Sequence, residues 1–281
     1  MMTGVVQKSD VEALIRLALQ EDIGSGDITS RAIFGKQDIS EAAVVSKQQG
    51  IVCGIDVFRY VYEILDPDVA VTGLVHDGDA IRPGNRVILL KGPTISLLSG
   101  ERTALNFLQR MTGVATRTAQ VVSLLKGTSI TLLDTRKTLP GFRMLDKYAV
   151  QTGGGTNHRM GLYDMVMIKD NHITAAGGAG RAVRMIRERY GTRYPIEVEA
   201  ATPEEAGEAA LSGADIIMLD NMDRALLKAA IDIINKKSKI EVSGNMDEKR
   251  IGSIIDLPID YISMGLLTHS VAAFDLSMDF N

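Results

Sequence analysis

The chain has 281 residues, 45% of them hydrophobic and 23% charged, with a formal net charge of −4. That composition suits one large or two ordinary globular domains, argues against disorder and supplies no global basic field for nucleic acid. Cys53 is the single cysteine, which excludes an intrachain disulfide and any cysteine-based metal site; residues 1–8 lack a basic-then-apolar signal pattern and no apolar run is long enough to span a bilayer, so the expectation is a cytoplasmic protein with no membrane partner.

In chain order, Ser9 and Asp10 read as a helix cap, with Val11, Leu14, Ile15, Ala18 and Leu19 as the apolar stripe behind it. Residues 21–30 read as a Gly- and Asp-rich loop. Strands are expected at 42–45, 50–53 and 69–74, with a helix at 57–65. The turn signals Asp77-Gly78-Asp79 and Arg82-Pro83-Gly84-Asn85 flank short strands at 80–81 and 86–90. Residues 96–109 and 114–125 read as two helices broken near Gly113. These signals place an N-terminal α/β domain at 1–110 and a second domain at 111–269. The tail 270–281 is expected to fold back onto the first.

The second domain repeats one pattern six times: a short β-branched run ends in a polar residue and a helical stretch follows. The run ends are Asp134-Thr135-Arg136-Lys137, Lys169-Asp170-Asn171, Glu197-Val198-Glu199, Asp220-Asn221, Ser243-Gly244-Asn245 and Ser263-Met264-Gly265. Strand-then-helix repetition predicts parallel βα units. The domain is too short for eight units, so an incomplete, six- to seven-stranded α/β barrel is expected, with an open doubly wound sheet as the alternative. Either architecture gathers ligands at the C-terminal ends of the strands.

The chemistry expected at that rim follows from residue type. Arg136 and Lys137 are adjacent cations: a guanidinium grips a carboxylate with two parallel hydrogen bonds, and an ammonium adds a point charge for phosphate. Gly153-Gly154-Gly155 brings backbone N–H groups close to an anion, and His158 and Arg159 add side-chain donors. Lys169 ends an apolar strand, as either a Schiff-base nucleophile or a fixed cation. Glu199 and Asp220 end successive strands, where carboxylates hold Mg²⁺ or face a developing positive charge. Ser243-Gly244-Asn245 and Ser263-Met264-Gly265 leave small residues where barrels build phosphate sites. Each segment also has an ordinary reading as a helix cap, a solvated cation or a tight turn. Together they suit a phosphorylated sugar plus a polycarboxylate.

These strings, with Glu101-Arg102-Thr103-Ala104-Leu105-Asn106 before them and Leu266-Leu267-Thr268-His269 after, closely resemble the quinolinate phosphoribosyltransferase family (nicotinate-nucleotide pyrophosphorylase, carboxylating). The resemblance runs in order over essentially the whole chain. Asn245 departs from it, since many relatives have a second Gly there; Asn tolerates left-handed backbone angles. The resemblance implies an N-terminal α/β sandwich, an incomplete barrel, and a homodimer in which Arg102 reaches the site of the partner subunit. It implies phosphoribosyl transfer from 5-phosphoribosyl-1-pyrophosphate to quinolinate, yielding nicotinate mononucleotide, pyrophosphate and CO₂.

In that scheme Arg136, His158, Arg159 and Arg102 pair with the two carboxylates. Lys137 and Lys169 neutralise phosphate oxygens, while Glu199 and Asp220 hold Mg²⁺ and face the ribose cation. Thr135, Ser243, Gly244, Asn245, Ser263 and Gly265 complete the binding set, with Lys137, Lys169, Glu199 and Asp220 as the catalytic residues. No organic cofactor is required. The rival readings are the molybdate-operon relative of the family, a Schiff-base aldolase using Lys169, and a non-catalytic phosphate-ligand sensor.

Overall fold

The computed structural model of the chain describes residues 6–280. It forms two compact units: one runs to Ala119 and includes Leu139–Gly154 and the segment from Val271, and the other comprises Gln120–Thr138 and Gly155–Ser270.

The first unit begins with α1 (Lys8–Ile23), which buries Val11, Ile15 and Leu19. Its cap lies earlier than the sequence suggested: the Gln7 N–H donates to the Asp10 carboxylate, 3.1 Å, so Asp10 caps from inside the first turn. The expected loop at 21–30 holds the start of α2 (Ile28–Ile33), because the Asp27 carboxylate accepts from the N–H groups of Thr29 and Ser30. Then follow β1 (Ile39–Ser46), β2 (Gly50–Ile51), α3 (Ile55–Leu65), β3 (Ala70–Gly73), β4 (Ala80–Ile81), β5 (Arg86–Pro93) and α4 (Thr94–Leu124). After an excursion into the second unit come α5 (Arg143–Thr152) and the last strand, β12 (Leu276–Phe280). Strands run β12-β1-β5-β3 in an antiparallel sheet, with β2-β4 as a separate ladder. The C-terminal strand thus pairs with β1.

The two helices expected around Gly113 are one continuous helix of 31 residues. Gly113 serves packing rather than a break: a Cβ there would lie 2.4 Å from the Ala272 carbonyl, so glycine is what lets the tail approach the helix. Nearby, Arg110 holds the fully buried Asp146 with two hydrogen bonds, 3.0 and 2.9 Å, tying α5 to α4.

The second unit contains β6 (Thr131–Leu133), β7 (Val166–Ile168), β8 (Ile196–Ala200), β9 (Ile216–Asp220), β10 (Lys239–Ser243) and β11 (Tyr261–Ser263). All pairs are parallel, in the order β6-β11-β10-β9-β8-β7. The helices are α6 (Asp170–Ala176), α7 (Ala179–Tyr190), α8 (Pro203–Leu211), α9 (Arg224–Ile234), α10 (Glu248–Ile254) and α11 (Leu266–His269). Thr156 adds a one-residue parallel rung beyond β6: its N–H donates to Leu132 O, 2.9 Å, and its carbonyl accepts from Asp134, 3.1 Å. The result is an incomplete α/β barrel of six strands with a rudimentary seventh. Val198, Ile217, Leu219, Val242 and Ile262 are fully buried in its walls. Parallel direction brings every strand's C-terminal end to the same mouth.

Capping falls beyond the strand ends. Thr202 caps α8, Asp223 caps α9 and Asp247 caps α10. Glu199, Asp220 and Ser243 are therefore released from capping, which removes the ordinary explanation for polar residues at those ends.

Candidate active site

A cavity of about 450 Å³ opens at the C-terminal mouth of the barrel. It is lined from β6 by Thr135, Arg136 and Lys137, from the following loop by His158 and Arg159, and from β7 and β8 by Lys169 and Glu199. Asp220 and Asn221 enter from β9, Ser243, Gly244 and Asn245 from β10, and Ser263 from β11. Twelve of the fourteen residues singled out in the sequence thus share one cavity. Gly265 stands just outside the lining, where a Cβ would lie 2.9 Å from Lys137 Cδ and 3.0 Å from His269. Arg102 lies on α4 in the first unit, exposed.

Local geometry fixes each group. Thr135 Oγ1 accepts the Lys137 N–H, 3.0 Å, turning the chain after β6. Asp134 is not a helix cap: it is fully buried, and its carboxylate accepts the His158 N–H, 2.8 Å, which anchors the neighbouring loop. Arg159 is braced by its guanidinium on Met165 O, 3.2 Å. Lys169 pairs with Glu199 across β7 and β8. On the far side, Gly244 has φ +90°, and Asn221 and Asn245 have φ 54° and 47°. A Cβ on Gly244 would lie 2.3 Å from Asn221 Oδ1 and 2.8 Å from its backbone N. Asn245, the departure from the family pattern, adopts the left-handed conformation and donates to Asn221 Oδ1, 3.0 Å. Ser263 Oγ is buried with no protein hydrogen-bond partner, as suits a hydroxyl held for a ligand oxygen.

Two of the three consecutive glycines do not offer their N–H groups to an anion. Gly153 closes α5 with its N–H on Ala149 O, 3.0 Å, and Gly154 donates to Gln151 O, 2.9 Å, so these donors are already engaged. A Cβ on Gly153 would lie 2.4 Å from Ala115 O, so close helix packing accounts for that glycine.

Two acids that the sequence reading left out of the site lie at its floor, one of them, Glu241, in the cavity lining itself. Glu197 on β8 and Glu241 on β10 are fully buried and face the His158 Nε2 at 2.9 and 3.5 Å. The signal was present: Glu197 shares the strand phase of Glu199, and Glu241 that of Ser243, so both point to the barrel interior. The ligand atoms of the three lie within 4.8 Å of one another, and by donor type alone they suit a divalent cation. Burial depresses the His158 imidazolium, but the two carboxylates outweigh it and raise its pKa to about 10. Burial raises Glu197 to about 7; His158 opposes that rise and Glu241 adds to it. The cluster thus retains a proton that the separated groups would lose at neutral pH. Burial and the neighbouring Arg136 lower the pKa of Arg159, while Glu197 and Asp164 support its charge.

A larger cavity, about 860 Å³, lies among Gly213, Asp215, Lys237, Lys239 and Asp260. These residues sit at the N-terminal ends of the strands, the end of a barrel that carries stability rather than chemistry. Two of its acids are ion-paired, Asp215 with Arg187 and Asp260 with Lys239.

Residues 27–112 match the family model described as quinolinate phosphoribosyl transferase, N-terminal domain, and residues 114–279 match its C-terminal domain. The chain is 44% identical over 259 residues to a probable nicotinate-nucleotide pyrophosphorylase [carboxylating] of Bacillus subtilis, covering 92% of this chain and 89% of that protein. It is 41% identical to the chloroplastic nicotinate-nucleotide pyrophosphorylase [carboxylating] of Arabidopsis thaliana, covering 96% and 82%. Among solved structures, NadC from Streptococcus pyogenes superposes with a TM-score of 0.95 at 39% identity, covering 99% of both chains. The nicotinate-nucleotide pyrophosphorylase of Francisella tularensis gives 0.93 at 39% identity, covering 99% and 98%.

Proposed function

The chain belongs to the quinolinate phosphoribosyl transferase family, and from that premise we infer how its pocket performs the reaction. The enzyme is a pentosyltransferase: it transfers phosphoribosyl from 5-phosphoribosyl-1-pyrophosphate to quinolinate with decarboxylation, forming nicotinate mononucleotide. The observation that carries the residue-level reading is the single cavity in which Arg136, Lys137, Arg159 and Lys169 face Glu199, Asp220 and the Ser243-Gly244-Asn245 turn.

Quinolinate is a dianion with a flat ring. Arg136 and Arg159 grip its carboxylates, and Met167 and Met218 in the lining offer the ring a polarizable apolar surface. The glycine turn and Ser263 Oγ receive the 5-phosphate. Lys137 and Lys169 face the pyrophosphate, whose negative charge grows as the ribose C1–O bond breaks. The ring nitrogen bonds to C1 as pyrophosphate departs, and Glu199 and Asp220 stabilise the positive charge on the ribose between those events. The ring nitrogen is then cationic. It accepts the electron pair released when the adjacent carboxylate leaves as CO₂, and a proton completes the new C–H bond.

Glu199 and Asp220, the accessible carboxylates of the cavity, would hold a Mg²⁺ ion accompanying the sugar pyrophosphate, and the ion would neutralise pyrophosphate charge there. The Lys169–Glu199 ion pair favours a fixed cation over a Schiff-base amine. The working enzyme is a homodimer in which the exposed Arg102 reaches the partner's quinolinate. The rim residues Leu162 and Tyr163, 77% and 72% exposed, suit such coverage. No helix among the described residues is long and apolar enough to cross a membrane, and the lone buried Cys53 fits a reducing, cytoplasmic setting. Incubating the pure protein with quinolinate, phosphoribosyl pyrophosphate and Mg²⁺ tests the assignment. Release of CO₂ with formation of the mononucleotide is expected, and absence of both overturns it.

A further inference from the structure

We propose that Asn221 is a positioning residue for the phosphoribosyl donor. Its carboxamide bridges the Asp220 carboxylate and the Ser243-Gly244-Asn245 turn, and so sets the span between the ribose and the 5-phosphate of the bound ligand. This rests on the proposed placement of the phosphate at that turn and of the ribose beside Asp220.

Hydrogen-bond chemistry fixes the orientation of the amide. Asp220 and Ser243 are the last register pair of β9 and β10, and just beyond them the Asn221 N–H donates to the Ser243 carbonyl, 3.1 Å. An ionised carboxylate only accepts, so the contact with Asp220 Oδ2 at 2.6 Å is made by Asn221 Nδ2. That turns Asn221 Oδ1 the other way, where Asn245 Nδ2 donates to it at 3.0 Å. One planar group thus joins the end of β9 to the loop after β10. A donor on Oδ2 also restrains the rotation of the Asp220 carboxylate.

The backbone is bent to make this bridge. Among the described residues four non-glycine residues have positive φ, and Asn221 and Asn245 are two of them, at 54° and 47°. Asparagine bears that conformation at lower cost than most residues, yet it is still unfavourable, and such strain gathers at sites that use it. Gly244 supplies the room: a Cβ there would fall 2.3 Å from Oδ1 and 2.5 Å from Cγ of the same amide. A tight turn needs only the backbone angles. It does not need a side-chain donor on one edge of the amide and a carboxylate on the other. Glycine at 245 would keep the turn and lose the donor, so the bridge depends on the residue at which this chain departs from the family pattern.

Titration calorimetry with ribose 5-phosphate and with inorganic phosphate, both without metal, tests the span without reference to turnover. Ribose 5-phosphate reaches from the turn to Asp220, whereas inorganic phosphate occupies the turn alone. Asn221→Gly and Asn245→Gly suit the fold, since glycine accepts positive φ. Each should weaken ribose 5-phosphate by about tenfold, the scale of one hydrogen bond, and leave inorganic phosphate within about twofold. In the double variant the two losses should not multiply, because a single bridge is broken. Equal loss of both ligands, unchanged ribose 5-phosphate binding in either variant, or multiplied losses in the double overturns the proposal. Kinetics supply the second arm. In Asn221→Gly the KM for phosphoribosyl pyrophosphate should rise by about tenfold while that for quinolinate stays within about twofold; equal shifts in both KM values refute the role. A wild type that binds neither ligand overturns the placement of the donor and the bridge with it. A wild type that binds both, with variants that match it, overturns the bridge alone.

Discussion

Gly244→Ala isolates the phosphate end of the pocket. The residue sits at φ +90°, where an L side chain costs roughly 1–2 kcal/mol. The new methyl would start 2.3 Å from Asn221 Oδ1 and 2.8 Å from Asn221 N. The second of these is backbone, so the β9 end must shift rather than a side chain rotate. That shift breaks the Asn245-to-Asn221 hydrogen bond, worth about 1 kcal/mol. The total is about 2–3 kcal/mol, a fall in Tm of about 4–12 °C for a protein of this size. Thermal unfolding measures the first effect. Steady-state kinetics measure the second: the KM for phosphoribosyl pyrophosphate should rise at least about tenfold while that for quinolinate changes by less than about threefold. An unchanged Tm, or a loss shared equally by the two substrates, would refute the placement of the phosphate at this turn.

Lys169→Ala should lower kcat by about 10²–10³, as for loss of one preorganised charge, with near-normal turnover contradicting its role. Arg136→Lys keeps the charge but loses the planar fork, so the KM for quinolinate should rise in steady-state assays while kcat changes little. Mixing Arg102→Ala with Lys169→Ala subunits should restore part of the activity if each site draws on two chains; exchanged, folded mixed dimers with no recovery would exclude sharing. Burial opposes and Glu197 and Glu241 favour the His158 proton, lifting its pKa from 6.5 to about 10, so its stabilisation is complete below pH 6.5 and disappears as pH rises through 10. Denaturant titrations should show that decline, at most about 1.4 kcal/mol per pH unit, and His158→Gln should flatten it.

The barrel was legible because its signal is local. Each strand from Thr131–Leu133 to Tyr261–Ser263 carries its own β-branched run and its own polar exit, and parallel direction does the rest. The rim residues followed from that direction alone. What was hidden depends on partners distant in sequence. Gly113 looked like a helix break because its reason, the Ala272 carbonyl, comes more than 150 residues later. The triple glycine resembled an anion loop because Ala115, which presses on Gly153, lies on another helix. Asp27 was read as loop although its carboxylate starts a helix one residue on, a local signal that Gly24 and Gly26 obscured. Glu241 was overlooked because an acid inside a strand declares itself only when the facing imidazole is known.

The buried acids also bear on how the empty pocket holds together. Arg136, Lys137, Arg159 and Lys169 converge on a volume of about 450 Å³, and its two solvent-accessible acids, Glu199 and Asp220, balance only half of their charge, the third lining acid, Glu241, being buried in the wall against His158. Arg159 registers the imbalance, with burial and Arg136 both working against its charge. An uncompensated cluster of this kind would splay toward water before substrate arrives, and ordering it would then oppose binding. Glu197 acts in the opposite sense on Arg159 from beneath the floor. The His158–Glu197–Glu241 cluster keeps a net charge of −1 whether its extra proton rests on the imidazole or on a carboxyl, so its support does not depend on which group holds that proton. Two acids visible in the cavity and one net negative charge below it leave the mouth weakly positive. That is enough to draw in a dianion, yet not enough to drive the guanidinium groups apart.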